Sequence, residues 1–314
     1  MTTAITIAIM GAGAVGSYYG AMLTRAGESV ALVARGPHLA ALRERGVTIE
    51  RAGEPAQIVH PARVTDDPAS LGQVELVLLA TKAHDLEAAA TAIAPLLGPD
   101  TLVLPLLNGV DITERLASVI GPERIITGFC EIAVALREPG VVQYNGARDR
   151  IVFGELAELA ELEGRASDRT LALAERLRRA GIRVDVSTQI TRDLWTKFVW
   201  LDPIAGLCAL ARAPLGALLT NPDARAQLAE CMREVEALAR ALDVGLPDDI
   251  VETTLTRLDG FPAHLRPSLL DALERGAKLE LEGLQGAVIR LGERVGVATP
   301  MHRWIHALLG VHAN

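Results

Sequence analysis

A glycine-rich segment near the start of the chain has the residue types and spacing of a phosphate-binding loop. It comprises Gly11, Ala12, Gly13, Ala14, Val15 and Gly16, in the pattern Gly-x-Gly-x-x-Gly. It follows a short apolar run, Ile5–Met10, and precedes an alanine-rich stretch that ends at Gly27. In that setting the first glycine permits a tight turn, the second lets the backbone approach a pyrophosphate, and the third lets a helix pack closely on a strand. The sequence therefore predicts a dinucleotide site at a helix N-terminus, with a glycine-rich turn that holds no ligand as the alternative.

The end of the second apolar run indicates which dinucleotide the site would select. A site for NAD normally carries Asp or Glu about 20 residues after the glycines, where it binds the ribose 2′-hydroxyl. Here the run ends Val33-Ala34-Arg35-Gly36 and carries no carboxylate. The guanidinium of Arg35 can instead form two parallel hydrogen bonds with a 2′-phosphate. Arg35 therefore favours NADPH as the cofactor, and a surface arginine in a loop is the alternative.

Two polar residues follow later apolar runs. Lys82 comes directly after Glu75–Thr81, and Asn108 comes directly after Leu102–Leu107. Ligands of open α/β sheets bind outside the carboxyl ends of the strands, so we expect Lys82 and Asn108 to lie near a nicotinamide. Each also has an ordinary structural interpretation, as a lysine at the start of a helix and as part of an Asn-Gly turn.

Two charged residues stand within apolar surroundings in the second half of the chain. Lys197 lies in the apolar stretch Leu194–Leu201, and Glu280 lies between Leu279 and Leu281. A lysine in such a stretch either extends to water or faces a cleft. In a cleft, its ammonium group could donate a proton to a carbonyl oxygen. Glu280 considered alone is equally well explained as a solvated residue on a helix.

The elements that must position these residues change type near residue 190. Before it, short apolar runs alternate with stretches of helical spacing, which predicts a parallel sheet with helices on both faces. We expect two later runs, Ile151–Phe153 and Ile182–Val186, to extend the same sheet. After residue 190 only helical spacing recurs, as in Leu228–Leu242 and Leu281–Val295, each ending before a glycine.

The expected fold class is therefore α/β. Residues 1–188 would form a Rossmann-type, doubly wound parallel sheet that binds the nucleotide. Residues 189–314 would form an all-α domain that carries the substrate and catalytic residues.

Composition excludes several other classes of protein. The chain has 31 Lys and Arg against 39 Asp and Glu, a net charge of −8, and only 3% aromatic residues. An acidic chain with few aromatic rings argues against a nucleic-acid partner. The longest apolar candidate for a membrane span, Phe198–Leu219, is interrupted by Asp202, Pro203, Arg212 and Pro214. We therefore expect no membrane partner and a small-molecule substrate.

The cysteines indicate a reducing compartment and no metal centre. Cys130, Cys208 and Cys231 are odd in number and far apart, so they form neither a disulfide framework nor a metal-binding pair. The chain starts with an apolar run and no charged leader, so we expect a cytoplasmic location. The oligomeric state is left open, and a homodimer is one option.

Taken together, several segments resemble the ketopantoate reductase (2-dehydropantoate 2-reductase) family over nearly the whole chain. The matching segments are the glycine motif Gly11–Gly16, Val33-Ala34-Arg35-Gly36, Lys82, Leu107-Asn108-Gly109, Trp195-Thr196-Lys197, Ser268 with Glu280 and Gly286, and Gly296-Val297-Ala298-Thr299-Pro300. Such a set is far more specific than the glycine motif alone.

The resemblance implies roles for the matching residues. Lys197 would be the general-acid lysine, and Glu280 the active-site glutamate that binds a substrate hydroxyl and helps to organise the lysine. Ser268 would contact the substrate carboxylate, and Asn108 and Lys82 would line the cofactor and substrate site. Arg35 again matches a residue that favours NADPH.

The chain departs from the family pattern on the face of Lys197. Members of the family usually carry asparagines four and eight residues after the lysine, and this chain has Leu201 and Ala205 there. Residues i, i+4 and i+8 share one face of a helix, so two amide side chains beside the lysine have become apolar. Leu201 and Ala205 are therefore expected to bind the substrate in a less polar pocket.

The function expected from the sequence is NADPH-dependent reduction of a 2-oxo acid to a 2-hydroxy acid. Ketopantoate, a precursor of pantothenate and coenzyme A, is the first named candidate, and a less polar 2-oxo acid in a divergent paralogue is the variant of this hypothesis. Two alternatives remain open: an NAD-dependent D-2-hydroxyacid dehydrogenase on the same scaffold, and a catalytically idle NADP-binding sensor protein.

Overall fold

The chain folds into two compact units. A computed structural model of the protein describes residues 4–156 and 165–312. The first unit comprises Met1–Leu107 and Ile112–Ile190, and the second comprises Asn108–Asp111 and Thr191–Asn314. The predicted boundary at residue 188 thus lies close to the main division, but the short segment Asn108–Asp111 joins the helical unit. The reason is packing, because Val110 contacts the apolar core of the helices.

Strands and helices both occur in the described part of the first unit, and helices alone follow in the second. The strands are β1 (Ile7–Met10), β2 (Val30–Val33), β3 (Val47–Arg51), β4 (Gln57–Val59), β5 (Arg63–Thr65), β6 (Val74–Leu79), β7 (Leu97–Pro105), β8 (Thr127–Glu138), β9 (Val141–Gly154) and β10 (Arg183–Val186). The helices are α1 (Ala14–Arg25), α2 (Gly36–Arg45), α3 (Leu86–Ala92), α4 (Ile112–Ile120), α5 (Asp168–Arg179), α6 (Ile190–Ala211), α7 (Leu215–Thr220), α8 (Pro222–Ala241), α9 (Ile250–Leu258), α10 (Ser268–Glu274), α11 (Gln285–Val295) and α12 (Pro300–Gly310).

The sheet that carries the glycine motif is parallel, as predicted. Its five strands are ordered β5-β2-β1-β6-β7. Alternate residues of β1 point to opposite faces, and both faces are buried: Ile9 packs in one core with α1, while Ala8 packs in another with α3 and α4. Helices therefore cover both faces of this sheet, which explains why its strands read as continuous apolar runs.

The expectation that Ile151–Phe153 and Ile182–Val186 extend this sheet is wrong. Both runs belong to a second sheet, in the order β10-β9-β3-β4, with β8 also paired to β9. Ile151–Phe153 is only the end of the long strand β9, which forms an antiparallel hairpin with β8 and runs parallel to β3 and β10. Strand pairing of this kind is decided by contacts between distant segments, and local apolar spacing does not encode it.

The second unit is helical throughout its described residues. Its core is built around α6, where Phe198 packs with residues such as Met232, Val288 and Ile305. The helix that was expected to begin at Leu281 begins instead at Gln285. Leu281 and Leu284 are buried in the turn before it, so they keep helical spacing without lying in the helix.

One helix of the described chain, α6, is long and apolar enough to cross a membrane by length and composition. Of the interruptions noted in the sequence, Asp202 and Pro203 lie inside this helix, whereas Arg212 and Pro214 follow its end at Ala211. Of the most apolar stretch of α6, 67% is nevertheless buried inside the protein. Buried core helices can match the length and composition of a membrane span in this way.

Candidate active site

The glycine motif forms the turn from β1 to α1, and two of its glycines are required by the protein's own packing. Gly11 has φ +91°, and a Cβ atom there would lie 2.7 Å from the backbone nitrogen of Thr81. A Cβ atom on Gly16 would lie 2.3 Å from the carbonyl oxygen of Gly11. Real Cβ atoms do not approach other atoms so closely, so these positions serve the close packing of helix on strand.

Gly13 differs, because the fold does not need a glycine there. It precedes α1 with φ −72°, a value that any residue adopts, and a Cβ atom on it would meet nothing within 4 Å. The open space in front of this backbone is where a bound group would approach. The residues therefore fit a nucleotide pyrophosphate, which the N-terminal amides of α1 would hold.

Two charged residues lie at the same edge of this sheet. Met10 pairs with Val33 of β2 and with Leu79 of β6, so these three parallel strands end together. Arg35, two residues beyond Val33, precedes α2 and is exposed. Lys82, three residues beyond Leu79, is also exposed. The edge thus combines helix N-terminal amides with two cationic side chains, an arrangement that can bind phosphate groups.

The second unit brings Lys197 and Asn108 together. Lys197 on α6 is only 6% exposed, and its Nζ donates a hydrogen bond to Oδ1 of Asn108 at 2.9 Å. Asn108 is fixed by the rest of its segment, since Asp111 accepts a hydrogen bond from Nη2 of Arg290 on α11 at 2.8 Å. A buried ammonium that is held by an amide oxygen can serve as a proton donor.

Glu280 and Ser268 belong to the part of the second unit that leads into α11. Glu280 is half-buried and lies outside any helix, between the buried side chains of Leu279 and Leu281. Ser268 is exposed at the first position of α10. A carboxylate in such a turn can accept hydrogen bonds, and a hydroxyl at a helix N-terminus can donate one to an anion.

The structure confirms the helical geometry behind Leu201 and Ala205. Both lie on the uninterrupted helix α6 with Lys197, so the three side chains follow one face. Leu201 is half-buried, and Ala205 is 3% exposed within the apolar core. The turns of α6 beyond the lysine therefore present aliphatic groups at these positions.

The sequence interpretation missed a buried ionic cluster in the same unit. His302 is fully buried, with Nε2 2.7 Å from Oδ2 of Asp202 and Nδ1 2.6 Å from Oε2 of Glu234. Gln285 donates to Oδ1 of Asp202 at 2.9 Å. Burial by itself would lower the pKa of His302, but the carboxylates of Asp202 and Glu234 outweigh it and raise that pKa to about 9. The only local signal was Asp202 within an apolar helix.

No group of His, Cys, Asp and Glu within the described ranges is arranged to hold a metal ion. The three cysteines are buried, and none of them forms a disulfide within the described residues.

Comparison with known proteins gives the same family for both units. The model of the family described as "Ketopantoate reductase PanE/ApbA" matches residues 7–158, and that of "Ketopantoate reductase PanE/ApbA C terminal" matches residues 189–313. A 2-dehydropantoate 2-reductase of Mesorhizobium japonicum is 33% identical, over 94% of this chain and 93% of its own.

Solved structures agree with these matches. The crystal structure of a 2-dehydropantoate 2-reductase from Geobacter metallireducens is 31% identical, with a TM-score of 0.88 over 98% of this chain and 99% of its own. A D-mandelate dehydrogenase, in a ternary structure with NADH and anilino(oxo)acetate, is 25% identical, with a TM-score of 0.88 over 98% of each chain. The chain therefore belongs to the ketopantoate reductase family, whose members are oxidoreductases that act on a CH–OH group and use a nicotinamide cofactor.

Proposed function

We propose that the protein reduces a 2-oxo acid to a 2-hydroxy acid with NADPH, and that Lys197 is the proton donor. The observation that carries this proposal is the buried ammonium of Lys197, whose Nζ donates to Asn108 at 2.9 Å. Burying a charged ammonium group costs desolvation free energy. We infer that chemistry at the amino group explains a lysine at this position.

The residues of the chain divide the work of the reaction. When bound, the reduced nicotinamide supplies a hydride to the carbonyl carbon of the substrate. Lys197 donates a proton from Nζ to the carbonyl oxygen, and its positive charge stabilises the negative charge that develops on that oxygen. The amide oxygen Oδ1 of Asn108 accepts one N–H of Lys197. This hydrogen bond sets the direction of that N–H and thereby the directions of the other two N–H bonds of the ammonium group.

The proposed cofactor is NADPH because of the charge at one sheet edge. The glycine motif would hold the pyrophosphate on the amides at the start of α1. Arg35 stands two residues beyond the end of β2, where an NAD site normally has a carboxylate, and it would pair with the 2′-phosphate. Lys82 at the same edge would add to the local positive potential.

The proposed substrate has a carboxylate next to a ketone. The hydroxyl of Ser268 would bind the carboxylate, and Glu280 would accept a hydrogen bond from a substrate hydroxyl and help to organise Lys197. Leu201 and Ala205 offer no hydrogen bonds, which favours an aliphatic or aromatic side chain on the substrate over a hydroxylated one. Ketopantoate remains the first named substrate to test.

The experiment is a steady-state assay of NADPH consumption with a panel of 2-oxo acids. The panel holds ketopantoate, branched aliphatic 2-oxo acids and aromatic 2-oxo acids. We expect turnover with at least one member, and a higher kcat/KM for the apolar members than for ketopantoate. Binding of NADPH without turnover on any member would support the idle sensor instead.

A second candidate is NAD-dependent oxidation of a D-2-hydroxy acid. It is favoured by the likeness to D-mandelate dehydrogenase over 98% of the chain, together with the apolar Leu201 and Ala205. The cofactor separates the two functions, since Arg35 predicts a higher kcat/KM with NADPH than with NADH. The reverse preference, with oxidation of D-mandelate, would establish the second candidate.

The cellular setting is also a proposal. We infer a cytoplasmic enzyme from the odd number and wide spacing of the cysteines, which are buried and form no disulfide in the described part of the chain. Neither a nucleic-acid nor a membrane partner is proposed, and a homodimer stays a prediction to be tested by light scattering.

A further inference from the structure

A chain of hydrogen bonds in the first unit runs from a distant turn to the glycine motif. The backbone N–H of Gly140, in the turn between β8 and β9, donates to Nδ1 of His38 at 3.0 Å. Nε2 of His38 lies 3.3 Å from Oγ of Ser17, on the first turn of α1. The Oγ of Ser17 in turn donates to the carbonyl oxygen of Ala12 at 2.8 Å.

The Gly140 N–H and the Ala12 carbonyl, the first and last groups of this series, decide which atom donates in each hydrogen bond. A backbone N–H can only donate, so Nδ1 of His38 is the ring nitrogen without a proton, and in the neutral ring Nε2 carries it. A carbonyl oxygen can only accept, so the hydroxyl proton of Ser17 points at Ala12. The oxygen of that hydroxyl is then the acceptor for Nε2–H of His38.

The surroundings favour the neutral ring on which this direction depends. Burial lowers the pKa of His38, which favours the neutral ring. Gly140 is itself buried, with φ +86°, and a Cβ atom there would lie 3.2 Å from Cβ of Ala41 on α2. Its N–H is thus enclosed beside α2, where an unmade hydrogen bond would be costly, and the ring of His38 accepts it.

The last of these hydrogen bonds, from Ser17 to Ala12, orients the amide that would face a phosphate. The carbonyl of Ala12 and the N–H of Gly13 belong to one planar trans peptide, so they point in opposite directions. A bond that holds the Ala12 carbonyl toward Ser17 therefore holds the Gly13 N–H away from it. Gly13 is the motif glycine with open space in front of it.

We propose that His38 is a positioning residue for the nucleotide pyrophosphate, acting through Ser17 and Ala12 to aim the N–H of Gly13. This inference rests on the proposed use of the glycine motif as the nucleotide site. His38 lies three residues beyond Arg35, in the first turn of α2. It therefore also ties the helix that carries the 2′-phosphate contact to the loop that holds the pyrophosphate.

The test compares two amide substitutions of His38. The amide nitrogen of glutamine reaches about as far as Nε2, so His38→Gln can still donate to Ser17 but loses the acceptor for Gly140. The amide oxygen of asparagine stands in for Nδ1, so His38→Asn keeps the acceptor and loses the donor. Dissociation constants for NADPH and NADH are measured by nucleotide fluorescence, and His60→Asn, at an exposed histidine of the same unit, is the control.

We expect His38→Asn to weaken the binding of NADPH and of NADH about fivefold, which is the loss expected for one hydrogen bond. The affinities of His38→Gln and His60→Asn should stay within about twofold of those of the wild type. Ser17→Ala should weaken the binding of both nucleotides to the same extent. The Ser17→Ala/His38→Asn double variant should bind them no more weakly than either single variant. Ser17→Ala by itself keeps the test decisive if His38→Asn does not fold, because unchanged nucleotide affinity in Ser17→Ala would overturn the role of the Ser17 hydroxyl and with it that of His38.

The contrary outcomes are distinct. Equal affinities in His38→Gln and His38→Asn, or additive losses in the double variant, would overturn the role of His38 and leave the nucleotide site in place. A wild-type protein that binds neither NADPH nor NADH would overturn the proposed function together with this inference.

Discussion

At the scale of single residues, the proposed preference for NADPH depends on the exposed guanidinium of Arg35. A charge-assisted contact with the 2′-phosphate is worth about 1.5–3 kcal/mol, or roughly tenfold to a hundredfold in affinity. Arg35→Ala should therefore raise the dissociation constant of NADPH at least about tenfold. That of NADH, which lacks the phosphate, should change by less than about twofold.

Nucleotide fluorescence titrations check this, with Arg43→Ala as the matched control. Arg43 lies on the same helix α2, where it pairs with Asp66 at 3.2 Å instead. Equal losses for NADPH and NADH in Arg35→Ala would contradict the proposed cofactor preference.

Substrate choice is a second property of single side chains. Leu201 stands one helical turn beyond Lys197, at a position where the resemblance places an asparagine. Leu201→Asn supplies a hydrogen-bonding amide, so it should raise kcat/KM for ketopantoate relative to an aromatic 2-oxo acid, by about tenfold in the ratio. Leu171→Asn, at an exposed leucine of the first unit, should leave the ratio unchanged. An unchanged ratio in Leu201→Asn would remove this residue from the substrate site.

Single residues also show what sequence spacing can and cannot reveal. The spacing of Lys197, Leu201 and Ala205 predicted their common helix face, because helical periodicity is a local property. The bond between Lys197 and Asn108 joins residues 89 positions apart, and only their separate placement was foreseen. The cluster of Asp202, Glu234 and His302 was missed altogether, because buried ion pairs between distant helices leave no periodic signal.

At the scale of elements, Gly16 in the turn from β1 to α1 is needed for packing, whereas Gly13 faces open space. Gly13→Ala adds a Cβ atom in open space, so the unfolding midpoint should stay within about 2 °C while NADPH affinity falls. Gly16→Ala forces a Cβ atom against the Gly11 carbonyl, so the protein itself should lose stability. Thermal unfolding and nucleotide titration on both variants separate the two effects. A Gly13→Ala protein with full NADPH affinity would argue against the loop as the nucleotide site.

His302 on α12, which pairs with Asp202 on α6 and Glu234 on α8, should make the free energy of unfolding depend on pH. The pKa of His302 is raised in the folded protein to about 9, above the usual 6.5 of an unfolded chain. Its contribution is therefore fully present below pH 6.5 and is lost as the pH rises through about 9. Urea unfolding between these limits should show stability that falls with rising pH.

The matched variant for that prediction is His302→Gln, which removes the titrating group. We expect a lower free energy of unfolding for it at neutral pH, by about 3–5 kcal/mol, because Asp202 and Glu234 lose their cationic partner. The pH dependence above 6.5 should also flatten. A wild-type-like slope in His302→Gln would assign the dependence to other groups.

Elements also differ in how far their sequences predicted them. The strands β1, β2 and β6 and the last part of β7 are largely buried and stand out as apolar runs. The hairpin of β8 and β9 was not foreseen, because half-exposed positions and irregular register obscure its alternation. The pairing of β9 with β3 was not foreseen either, since the strands β4 to β8, three of which belong to the first sheet, lie between β3 and β9 in the chain.

At the scale of the whole molecule, the net charge gives little information about the site. A chain of net charge −8 is proposed to bind two anions, a dinucleotide and a carboxylate. In the proposed function, local positive groups would bind these anions despite the negative net charge: the amides of α1, Arg35 and Lys82 in the first unit, and Lys197 in the second. The three lysines of the chain are Lys82, Lys197 and Lys278.

The assignment of proton donation to Lys197 is the central claim, and one comparison tests it most directly. The measurement is kcat for NADPH-dependent reduction of the best 2-oxo acid by the wild type, Lys197→Met and Lys278→Met, an exposed lysine of the same unit. We predict that Lys197→Met lowers kcat by about a hundredfold or more with NADPH affinity retained, and that Lys278→Met changes neither. Undiminished turnover in Lys197→Met would contradict the assignment.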